Sequence, residues 1–326
     1  MDEMRTAGVI LAALELAPAE PSDVTAILLS AVDRSVLLGR DEDGELDLPH
    51  SAAREVSPLA RYLADHIDQG RVEHWTKVVD RGASEGHYRP LPVTDPRYPD
   101  RLRQVWDAPP LLFCSLRERD LQTQSAPSYG RSWPYLRHGI DAGPSLAIVG
   151  SRETSDQVIG STEIVASDLA SSGVAIVSGL AAGVDSAAHR GALAAGGYTV
   201  GVMGTGIDMV FPESNRDLAA EIRRVGTLVS QFAPPAPRTR TSFLLRNHVI
   251  AALSEASLIM DGDERSGSRY EVEQALAYGR PVFAWGPTLG HRLWVKDLVQ
   301  AGAIWIVESA AEVGEHLALS RREGRT

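Results

Sequence analysis

At 326 residues, 44% hydrophobic and 23% charged, the chain has the composition of a globular protein with room for one large domain and a smaller one. A net charge of -11 excludes a generally basic, histone-like nucleic-acid binder but leaves a local basic groove open. The single cysteine, Cys114, excludes an intrachain disulfide, and no stretch reaches the roughly 20 apolar residues of a membrane span, so a soluble protein of the reducing cytoplasm is expected.

The N-terminus, MDEMRTAGVILAALELAPAE, starts acidic and reads as an amphipathic helix rather than a signal peptide. Residues 1–90 read as a small helical domain, since VILAALELA, VTAILLSAV and LARYLADHI have apolar spacing near 3.6 and are separated by prolines. Residues 91–144 read as a connecting segment: a proline-punctuated start, a short helix, the strand-like LLFCSL, then a stretch from 117 without periodicity that reads as a loop-rich insertion. From 145 to 312 strand, glycine turn and helix repeat. The strands are LAIVG, VAIVSG, YTVGVMG, TLVSQF, SLIMDG, PVFAWG and AIWIV, and residues 313–326 are left as a C-terminal tail. Continuous apolar strands alternating with helices predict an α/β, Rossmann-like, doubly wound and mainly parallel sheet, with ligands at the carboxyl ends of its strands.

Function is therefore sought in the turns that follow strands. Gly150-Ser151-Arg152 combines a close backbone approach with a cation, which suits an anion; an arginine paired with a nearby acid fits the same residues. Gly179 and Gly183 bracket a tight turn into a helix on which Asp185 and His189, at i,i+4, share a face. That pair is read either as an acid–base couple or as a structural carboxylate with its own partner. The turn at Gly204-Thr205-Gly206 lacks the full dinucleotide fingerprint, and no P-loop occurs, so neither cofactor nor metal is expected. In APPAPRTRTSFLLRN, Arg238, Arg240 and Arg246 surround Phe243, the combination of cations and a flat ring that single-stranded nucleic acid uses. Nearly all positive charge is arginine, with lysine only at 77 and 296, and arginine suits bidentate phosphate contacts. Ser266-Gly267-Ser268, between SLIMDG and the helix YEVEQALAYG, is a small-residue cradle for a phosphate at a helix start.

These turns in this order resemble the DNA-processing protein A (DprA/Smf) family, through DPRYPDRLRQVWDAPPLLF, IVGSR, VSGLAAGVDSAAHRGAL, GTGIDMVFPESN, GTLVSQF, FLLRNHVIAALSEAS and the SGS turn running into GRPVFAW. The resemblance covers about 95–309. It implies a cytoplasmic, non-enzymatic protein, often a homodimer, that binds and protects single-stranded DNA and loads a RecA-type recombinase onto it in DNA uptake, natural transformation and recombination. It assigns DNA contact to Arg152, Arg240, Phe243, Arg246, Asn247 of the RN pair and Ser266-Gly267-Ser268, beside the turn residues Gly150, Ser151, Gly179 and Gly183. Two family arginines are replaced, by Ala182 and His248, which predicts weaker binding. Glu271 departs as well: Gly267-Ser268-Arg269-Tyr270-Glu271 is similar to the G-T-x-x-E turn of the lysine-decarboxylase-like (LOG) phosphoribohydrolases. That second resemblance implies an alternative, a nucleotide-binding sensor or nucleoside-monophosphate N-glycosidic hydrolase in genome defence, with Glu271 and Arg152 as catalytic residues. A helix-start glutamate favourable to the dipole is the simpler reading of Glu271.

Overall fold

The computed structural model describes residues 3–16, 19–39, 56–116, 143–264 and 266–322. The expected insertion lies, over 117–142, outside the described residues. Two compact units are present, Met1–Tyr98 with Arg103–Cys114, and Pro99–Leu102 with Ser115–Thr326.

In the first unit the helices are α1 (Glu3–Leu14), α2 (Pro21–Leu29), α3 (Ala31–Leu38), α4 (Pro58–His66) and α5 (Gln69–Ser84). VTAILLSAV, which reads as one helix, is two: Ser30 is extended (φ -74, ψ 120), ends α2, and caps α3 by accepting from the Asp33 amide. Pro21 and Pro58 occupy first turns, where a missing N–H costs nothing. Gly8 lets α1 lie against α5, for a Cβ there would stand 2.3 Å from Thr76 Oγ1. Strands β1 (Tyr88–Pro92) and β2 (Leu111–Ser115) follow, with α6 (Asp100–Arg103) between them in sequence, so the helical reading ends just short of residue 90. The Tyr88 and Phe113 rings meet edge-on at 5.5 Å.

The second unit alternates strand and helix: β3 (Ser145–Val149), α7 (Asp156–Ser171), β4 (Ala175–Ser178), α8 (Val184–Ala194), β5 (Thr199–Val202), α9 (Arg216–Val225), β6 (Thr227–Ser230), α10 (Arg240–Leu253), β7 (Ala256–Ile259), α11 (Gly267–Ala277), β8 (Val282–Trp285), α12 (Gly286–Leu289), α13 (Leu293–Gln300), β9 (Trp305–Val307) and α14 (Ala310–Arg322). Every strand predicted from 145 onward is present. They run β6-β5-β4-β3-β7-β8-β9, all parallel. This is the Rossmann-like doubly wound sheet, and its order reverses between β3 and β7, which places a crevice beyond their carboxyl ends.

One face of the sheet buries Leu146, Ile148, Ile176, Leu258 and Phe283 under Val165 and Leu169 of α7 and Ala188 of α8. α7 and α8 cross closely because a Cβ on Gly191 would stand 2.3 Å from the Glu163 carbonyl oxygen. The segment read as a C-terminal tail belongs instead, through Arg322, to α14, whose Val313 and Leu317 are buried in the same core.

Candidate functional site

The crevice at the reversal point is built from four turns that glycines allow to touch. Gly183 has φ +76, and a Cβ on it would lie 2.3 Å from the Ser151 carbonyl oxygen. The Val184 amide donates to that same oxygen at 3.2 Å, locking the turn after β4 onto the turn after β3. Gly150 packs as tightly, since its Cβ would meet Val184 Cγ2 at 2.7 Å. Leu180 holds a left-handed φ of 56, and the buried Asn215 amide donates to the carbonyls of Leu180 (3.0 Å) and Ala181 (3.2 Å). Asn215 is thus a positioning residue for the glycine turn. Across the crevice, Thr154 Oγ1 donates to Asp261 Oδ2 at 2.7 Å.

The result is a cleft of about 330 Å³. Arg246, Asp185 and Glu271 form its floor, and all three are buried. Arg246 Nη1 donates to the Gly179 carbonyl and, at 2.7 Å, to that of Val202. Any side chain at 179 would collide with this guanidinium. Burial lowers the pKa of Arg246 to about 10, with Asp185 opposing the shift, so it stays charged at neutral pH. Burial raises that of Asp185, countered first by Arg246 and then by the Ala181 amide, 3.4 Å from Oδ2. Ser257 Oγ donates to Glu271 Oε1 at 2.6 Å, while Oε2 is buried with no hydrogen-bond partner among the described residues. Burial pushes the Glu271 carboxyl up to about 7, despite Ser257 and with a further upward push from Asp185.

Above the floor stands Phe243. The prolines of the preceding loop and a capping box between Thr239 and Ser242 start α10 at Arg240. Phe243 and Arg246, three apart, then share one helical face. The Phe243 ring lies over Gly204, where a Cβ would be 2.7 Å from its Cδ1. Arg152 covers this ring at 5.0 Å and Arg246 approaches it at 5.8 Å. A second cleft of about 680 Å³ shares Arg152, Phe243 and Gly267 and adds Phe211, Arg238, Arg240 and Tyr270. There Arg238 sits 4.5 Å over Phe211, itself 5.7 Å from Phe243. The two clefts form one surface of exposed arginines over aromatic faces.

The family model for DNA recombination-mediator protein A matches residues 138–318, over half of the chain. The chain belongs to the DNA recombination-mediator protein A (DprA/Smf) family. DprA of Streptococcus pneumoniae is 35% identical over 192 residues, 59% of this chain and 61% of its own. DprA of Bacillus subtilis is 30% identical over 229 residues, 68% of this chain and 70% of its own. Protein Smf of Synechocystis sp. is 34% identical over 196 residues, 60% of this chain but only 45% of its own, so the chain spans less than half of that relative. In structure, S. pneumoniae DprA aligns at a TM-score of 0.61 and 28% identity, covering 90% of this chain and 97% of that one. DNA processing protein A of Helicobacter pylori, solved for its single-stranded DNA binding mode, aligns at 0.58 and 25% identity, covering 73% and 98%.

Most of the residues expected from the DprA/Smf resemblance fall on the two clefts, in different roles, while Gly179 and Gly183 line neither. Gly150, Ser151, Arg152, Phe243, Asn247 and Gly267 line the first cleft, and Arg240 lines the second. Ser266 and Ser268 also line the first, but their hydroxyls lie 2.6 Å apart, and Ser266 caps α11 by accepting from the Arg269 amide. The open side of that cradle is Gly267, whose Cβ direction is clear to 3.9 Å. Asn247 Nδ2 donates to the Gly267 carbonyl at 3.1 Å and so ties α10 to α11. Gly179 is absent from the cleft wall and serves by accepting from Arg246. Asp185 and His189 do not pair: His189 Nδ1 meets Thr199 Oγ1 at 2.7 Å, and burial drives its pKa to about 3, leaving it neutral. Glu271, read as a helix-start carboxylate, lies beyond the first turn of α11 and is fully buried. His248, expected to cost the mouth a cation, is buried with Nε2 2.9 Å from Gln231 Oε1 and lies off the cleft wall. Ala182 alone remains, exposed beside the lining residue Ala181. Sequence reasoning missed Phe211 and Asn215; both sit in GTGIDMVFPESN, where an aromatic beside a family motif was the available signal.

Proposed function

We propose that this chain binds single-stranded DNA along the two joined clefts. The observation that carries the reading is Phe243 at their junction, with Arg152 at 5.0 Å over its ring and the Phe211–Arg238 pair beside it. Exposed guanidinium groups follow a phosphate backbone, and flat rings take bases of any sequence. The carboxyl-end position of the cleft and the single-stranded DNA binding of the H. pylori relative support it. As a DNA-processing protein it would protect the strand and load a RecA-type recombinase in DNA uptake, natural transformation and recombination, acting in the cytoplasm as a homodimer; kinship with DprA supports these finer assignments. The test is binding of oligo-dT across a salt series. Affinity is expected to fall with salt and to fall again in Arg240→Ala and Phe243→Ala; binding that is flat with salt and equal in both variants refutes the proposal.

One observation favours a second reading. Glu271, which lines the cleft, has one buried carboxyl oxygen without a partner among the described residues and a carboxyl near neutrality, the properties of a general acid–base group. Hydrolysis of a nucleoside monophosphate would release free base, measurable by chromatography, and Glu271→Gln would abolish it. On the binding reading no base is released.

A further inference from the structure

The rim of the first cleft attracts anions, and its floor repels them. Asp185 and Glu271 enter that floor from α8 and α11, facing the buried cation Arg246 from α10. Arg246 already gives Nη1 to two carbonyls and Nε to Asn247 Oδ1 at 3.2 Å. Of the Glu271 carboxylate, Oε1 is taken by Ser257 and Oε2 is buried without a partner among the described residues, on a side chain that lines the cleft. A buried acceptor without a donor is costly, and an ionised carboxylate accepts only. With Glu271 ionised, a phosphate is repelled from that place, whereas an N–H can fill it. Val149, Ile250 and Phe243 supply apolar wall to the same cleft, and about 330 Å³ admits a nucleotide-sized ligand.

We propose that the floor of this cleft is a base subsite in which Glu271 Oε2 accepts from the amino edge of a nucleobase, guanine foremost, while the phosphates stay on the arginine rim. Guanine sets two donors, N1–H and the N2 amino group, side by side. Adenine and cytosine offer one amino group next to a ring-nitrogen acceptor. Thymine has no amino group, and its one N–H lies between two carbonyl oxygens that two carboxylates repel. Strand binding by the rim is thus base-indifferent, and the floor adds a preference. The inference rests on the single-stranded DNA reading above, but it can fail while that reading stands.

The experiment uses the full chain at about pH 8, above the Glu271 pKa of about 7. Fluorescence anisotropy compares oligo-dT, the same strand with every third thymine replaced by guanine, and the same strand with inosine at those places. Inosine keeps N1–H but lacks the amino group. The guanine strand is expected to bind about tenfold tighter than oligo-dT, the size of one hydrogen bond to a charged group, with inosine between them. Glu271→Gln, which keeps an acceptor for Ser257 but turns an N–H2 into the cleft, is expected to erase the preference. Equal affinity of the wild-type chain for all three strands overturns the inference and leaves strand binding intact, as does a preference that survives in Glu271→Gln. Failure to bind any of the three overturns both.

Discussion

The rim and the floor of the cleft use the same residue types under opposite conditions. At the rim, Arg152 is exposed and rests on Phe243, and Arg238 rests on Phe211; water screens their charge, and they stay free to meet a ligand. At the floor, Arg246 is 4% exposed and holds two carbonyls with Asp185 nearby, and burial raises the pKa of Asp185 and that of Glu271, the latter to about 7. One arginine is a contact and the other is a brace. Burial makes the difference, because in a low dielectric every unmet charge or hydrogen bond costs several times what it costs in water.

That contrast breaks most clearly at Arg246. Its replacement by alanine strands the Gly179 and Val202 carbonyls and the Asp185 carboxylate, and should cost about 3–5 kcal/mol of folding stability, read from urea midpoints. Glu271→Gln should move the other way. In the fold Glu271 keeps its proton up to about 7, against 4.5 for the unexceptional group. Between those values the folded chain binds more protons than the unfolded one, so stability falls as pH rises from about 4.5 to about 7, by on the order of 3 kcal/mol. The variant escapes that loss: urea melts should show it more stable than wild type at about pH 8 and equal to it at about pH 4.

Rim substitutions should leave folding nearly alone and act on the ligand. Phe243→Ala is expected to weaken oligo-dT binding by about 1–3 kcal/mol, the worth of one base on an aromatic face, with a smaller change in urea midpoint than Arg246→Ala. Arg152→Ala is the mildest: the slope of log affinity against log salt should drop by about 0.7, one phosphate contact, with stability within about 1 kcal/mol of wild type. If Arg152→Ala destabilises as much as Arg246→Ala, the division into rim and floor is wrong.

Most of the architecture was legible in the sequence because it is written locally. SLAIV, AIVS and TVGV are short, mostly apolar runs each followed within two residues by glycine, and Thr239 and Ser266 precede helices as capping residues, so strand and helix follow from neighbours in the chain. The turns that carry Gly150, Arg152, Phe243 and Gly267 were legible for the same reason, once a parallel sheet put them at one edge. C-terminal α14 escaped notice because Val313 and Leu317 declare a helix only through the core they dock on.

The sequence by itself determined the strand–turn–helix order, the family and which loops converge on the crevice. Only the tertiary structure decided what each side chain does there. Asp185 and His189 stand at the right spacing to pair, yet His189 turns to Thr199 on the next strand. His248 turns to Gln231, Arg246 to carbonyls 67 and 44 positions away in the chain, and Glu271 to Ser257. Whether a charged group meets water or a distant partner sets its protonation and its availability, and that depends on contacts far apart in sequence, which no local pattern encodes.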